Sequence, residues 1–390
     1  MSDPTLFLIL FVAVAIGYAL GRFARQSTPP KQVKPALNKH YVAGVNFLLN
    51  DQPDGAIDAF ISSLAVNSET IETHLAIGKL SRKQGETDRA IRVHQNLLAR
   101  PSLSKEQRQL VQYELALDYN KAGWLDRAER ILRDLLDQAA VQRKDILRTL
   151  LDIYEQEREW ALALPLAREL VSITAPKIAR RYSVAAGHYC CELAQAAQSE
   201  QRFNDSLKDL KSALQYDKKS VRASILMARS HLALGKPKKA LSMLRKMQEQ
   251  DLSTYVEGLP ELRLAFDALG NEAGLLKLLQ SSLQKDSPTP LVLAVFEEME
   301  QQQGVTAALD FLEQRFHDRT SLRGLSKMLE HNAALIEEGP MAEVVNKVHE
   351  VLSIELAERP KFSCGHCGFQ GEQQHWRCPG CKTWGSVNRL

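Results

Sequence analysis

The chain has 390 residues, with 50 lysines and arginines against 47 aspartates and glutamates, and only 6% of it is aromatic. Its length predicts two or three domains at about 150 residues each, and a net charge of only +3 argues against a nucleic-acid binder held by basic excess. Twenty glycines, 15 prolines and six cysteines exclude a collagen-like or low-complexity chain and a disulfide scaffold.

Pro4 to Gly21 carries no charged residue, and a helix over it reaches about 27 Å, close to the ~30 Å hydrocarbon core of a bilayer. Phe23 extends the apolar stretch if Arg22 snorkels. A cleaved signal peptide would open with basic residues and end at small ones, whereas here Asp3 precedes the segment and Arg22 and Arg25 follow it. Residues 1–23 therefore read as a single transmembrane anchor. Arg22, Arg25, Lys31, Lys34 and Lys39 crowd its carboxyl side, which predicts a periplasmic amino terminus and a cytoplasmic bulk. Residues 24–37, rich in proline and polar side chains, read as a juxtamembrane linker.

Residues 38–359 predict an all-α repeat array. Ala56, Ala90, Ala128, Ala163, Ser206, Ala240, Gly274 and Ala308 recur at steps of 34, 38, 35, 43, 34, 34 and 34 residues, with a second position four residues further on, such as Leu132 or Leu244. The longer steps mark insertions near Pro101–Ser104 and at Ala175-Pro176. Twelve residues before several anchors lies a small residue of a preceding helix: Gly44, Gly78, Ala116, Ala194 and Ala228. Small residues let two antiparallel helices approach closely, and this spacing is that of the tetratricopeptide repeat, here eight repeats and a partial ninth. The pattern degenerates at Leu151, Leu262 and Phe296. Such arrays present a concave face that binds proteins or peptides. Charged residues on it read as a solvated face, His40, His74 and His231 as packing or surface residues, and Cys190 and Cys191 as buried small hydrophobes in a reducing cytosol.

Residues 360–390 hold Cys364-x-x-Cys367 and Cys378-x-x-Cys381, separated by ten residues. Each C-x-x-C turn aims two thiolates at one point, so the pair predicts a closed tetrahedral metal site of Cys364, Cys367, Cys378 and Cys381, with His366 and His375 as bystanders. Such a donor set takes zinc or iron and offers no open position to a substrate. Only Arg359, Pro360 and Lys361 join the module to the last helical stretch, which predicts that it packs on the last repeats and caps the open end of the solenoid. No GxxxxGK[ST], GxSxG, HExxH or GxGxxG occurs, and no catalytic residue is assigned. An electron-transfer role for the knuckles, a nucleic-acid ribbon flanked by Trp376 and Trp384, and a membrane-tethered scaffold for another complex stand as rival readings.

The order of these parts, together with the junction PKFSCGHCGF, resembles the lipopolysaccharide assembly protein B family over the whole chain. The resemblance implies a non-enzymatic inner-membrane adaptor that limits lipopolysaccharide synthesis by promoting degradation of the lipid A pathway deacetylase by an FtsH-type membrane protease. It also implies gathering of synthesis enzymes at the membrane, control by another inner-membrane protein that reports lipopolysaccharide level, and a rubredoxin-type iron in the tetracysteine site.

Overall fold

The computed structural model describes residues 11–19, 39–50, 55, 59, 71–101, 103–138, 142–284, 287–316, 321–333 and 339–390. The chain divides into two compact units, Met1–Asp118 and Tyr119–Leu390. In the first, residues 11–19 form α1, with Phe11, Val14 and Tyr18 largely exposed. The rest of the predicted anchor, and the linker at 24–37, lie outside the described residues. Among the described residues no helix is long and apolar enough to cross a membrane. The unit continues with α2 (Lys39–Leu49), α3 (Ile71–Gln84), α4 (Thr87–Leu98) and α5 (Lys105–Lys121), whose last three residues belong to the second unit.

The second unit runs through α6 (Leu125–Asp137), α7 (Arg143–Glu157), α8 (Trp160–Ile173), α9 (Pro176–Ser199), α10 (Phe203–Tyr216), α11 (Val221–Ala233) and α12 (Pro237–Gln250). A single 3-10 turn (Tyr255–Gly258) leads into α13 (Leu259–Asp267), α14 (Glu272–Ser282), α15 (Thr289–Gln303), α16 (Val305–Phe316), α17 (Leu322–Ala333) and α18 (Pro340–Glu358). Three short strands, β1 (Phe362–Cys364), β2 (Gln370–Gly371) and β3 (Val387–Arg389), form an antiparallel sheet in the order β2-β1-β3. The fold is mostly helical, of tetratricopeptide type, with a carboxyl-terminal tetracysteine module.

The helices pair as the anchors predict. Ala90, Ala128, Ala163, Ser206, Ala240 and Ala308 are each 0% exposed, as are Ala116 and, in helices that face two of the anchors, Ala194 and Ala228. A Cβ on Gly78 would collide with the imidazole of His94, which shows how closely α3 and α4 approach. At the positions where the pattern degenerates, Leu151, Leu262 and Phe296 are buried as well, so bulk replaces close approach there. Helices start by local means too: the Ser220 hydroxyl caps α11 by accepting from the Ala223 amide at 3.3 Å.

Among the described residues, seven turns from a first to a second helix each contain one left-handed residue: Gly85, Gly123, Arg158, Gln201, Gly235, Gly270 and Gly304. They precede the anchors by four or five residues, so the repeat is written in backbone conformation as well as in burial. Arg158 and Gln201 hold φ of 61° and 60°, where a Cβ costs about 1 kcal/mol. Gln201→Gly is therefore expected to raise stability by up to ~1 kcal/mol, read as a higher denaturation midpoint.

Neighbouring repeats are tied by charge pairs that sequence alone places in solvent. Arg229 binds Glu261 at 2.7 Å and Arg263 binds Glu298 at 2.7 Å, linking α11, α13 and α15, and both carboxylates are buried. In the first unit, fully buried His94 bonds Asp118, which also takes Arg82 at 2.6 Å, while Arg82 reaches Glu114 at 2.7 Å. Removing one partner of such a network leaves a charge or a ring unpaired in low dielectric. Asp118→Ala is expected to cost about 3–5 kcal/mol in denaturant titration, and Asp118→Asn less.

Candidate metal centre

Two knuckles of matching backbone build the site. In the first, the Gly368 amide donates to the Cys364 carbonyl at 2.9 Å and the Cys364 amide to the Phe369 carbonyl at 2.7 Å. In the second, the Lys382 amide donates to the Cys378 carbonyl at 2.9 Å and the Cys378 amide to the Thr383 carbonyl at 3.0 Å. The residue after each second cysteine is left-handed, Gly368 at φ 74° and Lys382 at φ 60°. Phe362, Cys364, Cys378 and Val387 form the small core between the knuckles.

The four sulfurs lie within 4.8 Å of one another, with Cys364 to Cys381 at 3.8 Å and Cys367 to Cys378 at 3.6 Å. A tetrahedral ion with metal–sulfur bonds of about 2.3 Å requires sulfur separations of about 3.8 Å, so the donor set fits one metal ion. All four are free thiols far beyond disulfide bonding distance. They form a tetrathiolate metal-binding site of the kind that takes zinc or iron. Cys364 Sγ accepts from the His366 amide at 3.4 Å and lies 3.2 Å from Ser386 Oγ, and Cys381 Sγ lies 3.3 Å from Thr383 Oγ1. The Ser386 hydroxyl draws Cys364 down to about 7 and Thr383 draws Cys381 down to about 5. Although the Phe369 amide favours its thiolate, local desolvation and the hydrogen bonds from the neighbouring thiols push the exposed Cys367 up to about 11. Four thiolates together need a cation, as a bound metal supplies. His366 and His375 lie outside this cluster, and His375 packs edge-on against Phe369.

The module does not cap the open end of the solenoid. It leaves α18 and folds back across the face formed by the first helices of the pairs, reaching α15, the 3-10 turn, α11, α9 and finally α7. Met341, Val344, Val348 and Val351 on α18 stay exposed as a result. The reason is a partly buried carboxylate 222 residues away in sequence. Glu155 accepts from Arg377 Nη2 at 2.6 Å, from Trp384 Nε1 at 2.9 Å and from the Tyr189 hydroxyl, while its carbonyl takes Arg377 Nη1 at 3.1 Å. Arg377 and Trp384 form the one antiparallel bridge flanking the second knuckle, so the metal turn itself holds the pair that grips Glu155. Trp384 stacks on His188 at 4.9 Å and meets Trp160 and Tyr189 edge-on, and Trp376 lies 5.8 Å from the Arg222 guanidinium. A second ion pair, Arg389 to Glu257 at 2.9 Å, fixes the far end of the module. The tryptophans that suggested a nucleic-acid ribbon are thus spent on packing.

Burial, helped by the Arg222 charge, holds His188 down to about 3, so the ring stays neutral in the contact. Unfolded, it takes its proton near pH 6.5. The unfolded chain then binds more protons, and His188's contribution is complete above about pH 6.5 and fades as pH falls toward 3. Between pH 7 and pH 5 the expected loss is about 2 kcal/mol, and His188→Phe should flatten that part of the stability profile.

The remaining predicted residues behave as packing. Cys190 and Cys191 are buried between α9, α10 and α11, and burial pushes each thiol up to about 12, far from a reactive thiolate. His74 is buried and His231 half-buried, while the side chain of His40 lies outside the described residues. Glu155, His188 and Arg222 were invisible to periodicity; the cue in the sequence was the pair Arg377 and Trp384 bracketing a cysteine knuckle.

Residues 362–388 match the family model described as rubredoxin metal binding domain, and residues 73–108 and 197–259 match tetratricopeptide repeat models. Lipopolysaccharide assembly protein B of Escherichia coli K12 is 33% identical over 99% of this chain and 97% of its own length. The chain belongs to the lipopolysaccharide assembly protein B family. The Haemophilus influenzae member is 29% identical over 98% of this chain and 97% of its own length. Among solved structures, a tetratricopeptide repeat protein from Parabacteroides merdae aligns with TM-score 0.33 and 14% identity, covering 67% of this chain and 98% of that one.

Proposed function

We propose that the chain is a non-enzymatic adaptor of the bacterial inner membrane that acts in lipopolysaccharide assembly. In this reading it limits lipopolysaccharide synthesis by bringing the lipid A pathway deacetylase to an FtsH-type membrane protease. The observation that carries it is end-to-end similarity to proteins named for lipopolysaccharide assembly, over 99% of this chain. Residues 1–23 are proposed to cross the membrane once, with the amino terminus in the periplasm and residue 24 onward in the cytoplasm. Anchoring keeps adaptor, protease and substrate at one surface and raises their effective concentration without tight pairwise contacts.

Cys364, Cys367, Cys378 and Cys381 are proposed as ligands of one structural metal, iron by family resemblance, with zinc the alternative of the same geometry. The module covers first helices from α7 onward, so the protein-binding surface in this reading lies on the remaining array. The test is the half-life of the deacetylase with the chain present and depleted. The adaptor reading expects a longer half-life on depletion; an unchanged half-life would leave a membrane-tethered scaffold for a different client.

A further inference from the structure

A cavity of about 420 Å³ lies where the second knuckle meets α7 and α9. Its walls carry Arg148, Lys177, Arg180, Arg181 and Lys382 around an apolar floor that includes Leu151, Val184 and the rings of Tyr189 and Trp384. Only two carboxylates reach it. Glu155 is spent on Arg377, Trp384 and Tyr189, which leaves Asp152 as a single carboxylate against five cations.

Three features set these cations apart from a solvated face. Lys177, Arg180, Arg181 and Lys382 have no ion-pair partner among the described residues, whereas Arg143, Arg222, Arg229 and Arg263 nearby in the array are all paired. They also sit where positive charge is costly. α9 has no acidic residue in its first turn, and Lys177, Arg180 and Arg181 share one face of its first two turns, close to the positive end of the helix dipole. Those turns are additional to the repeat: α9 has 24 residues where α7 has 15 and α11 has 13, which is where the 43-residue step places its extra length. Finally, Lys382 occupies the left-handed position that the first knuckle gives to Gly368, so a charged side chain is kept where glycine is the cheaper residue.

The geometry points to a binding site in this cavity for a compact phosphate-bearing group attached to an apolar body. Three guanidinium and two ammonium groups line one cavity, an excess of positive charge that suits a phosphate dianion, and Lys177, Arg180 and Arg181 lie near a helix amino terminus, whose dipole adds its own attraction. A volume of this size holds a single headgroup and not an extended acidic segment. The knuckle supplies Lys382, Thr383 and Trp384, so the site is complete only with the module docked. This inference does not depend on the adaptor reading.

The test is calorimetric titration of the metal-loaded full chain with inorganic pyrophosphate. Saturable binding is expected, weakened at least about tenfold in the Arg180→Gln/Arg181→Gln variant, since each charge-assisted pair contributes strongly. Lys382→Gly should also weaken binding, while its thermal stability stays equal or rises because φ 60° then costs nothing. Competition by glucose 6-phosphate would assign a soluble phosphate ester, and competition by phosphatidylcholine vesicles containing phosphatidic acid would assign a lipid headgroup. Absence of pyrophosphate binding, binding undiminished in both variants, or tighter binding of a hexaglutamate peptide would overturn the proposal.

Discussion

Replacing Cys364 and Cys367 together by serine is expected to unfold residues 362–390 and to loosen the array beneath them. The module is shorter than the ~40 residues below which a domain commonly needs a metal or disulfides, and its core is four buried side chains with Phe369 and Cys381 against them. Binding of a structural metal to thiolates provides on the order of 10 kcal/mol in small modules, so loss of half the donors removes the main source of its stability. The consequence travels through covalent geometry. Arg377 and Trp384 bridge across the second knuckle, and without the knuckle nothing holds both side chains on Glu155. The buried face of α7 and α9, with Tyr189, His188 and Glu155, then opens to water. Calorimetry of the variant should show a lower melting temperature for the array itself, and the adaptor reading further expects regulation to be lost. Normal melting with normal regulation would reject both the metal-dependent clamp and its functional role.

Glu155→Ala is the second large effect, and it leaves the metal ligands untouched. The substitution strands the Arg377 guanidinium and the Trp384 indole N–H in a contact where Glu155 is their common acceptor. Breaking a buried pair on one side costs about 3–5 kcal/mol, and this pair is partly buried, so a loss of about 2–3 kcal/mol is expected. The module should remain folded around its metal, with an unchanged metal-to-protein ratio, while tryptophan emission shifts to the red as Trp384 leaves its stack on His188. Glu155→Gln keeps the shape and an acceptor oxygen, and is expected to lose less. Loss of metal together with docking would mean that the array shapes the site and that the dependence runs the other way.

The two cysteine pairs and the helical anchors were legible because each is a local signal. A C-x-x-C turn fixes its own geometry, and a small residue at a helix crossing recurs with the repeat, as Ala128, Ala163 and Ala240 do. The turn residues were half-visible: Gly85, Gly123 and Gly235 announce a left-handed turn, but Arg158 and Gln201 adopt it without any compositional mark. Where the module docks was not legible. Its partner, Glu155, lies on α7 with no periodic distinction from other exposed glutamates, and only tertiary proximity makes it a partly buried acceptor for groups 222 and 229 residues later. The same holds for Glu261 and Glu298, which read as solvent-facing charges and instead tie consecutive repeats together. A short linker at Arg359–Lys361 suggested packing on the nearest helices, yet it sets only where the module begins, not which surface it covers.

Hydrogen exchange with and without a chelator tests the metal-dependent clamp most directly. The account predicts that chelation speeds exchange in residues 362–390 and also in the docked parts of α7 and α9, around Glu155 and residues 182–189, while α12 and α14 change little. Faster exchange confined to residues 362–390, with α7 and α9 unaffected, would contradict it.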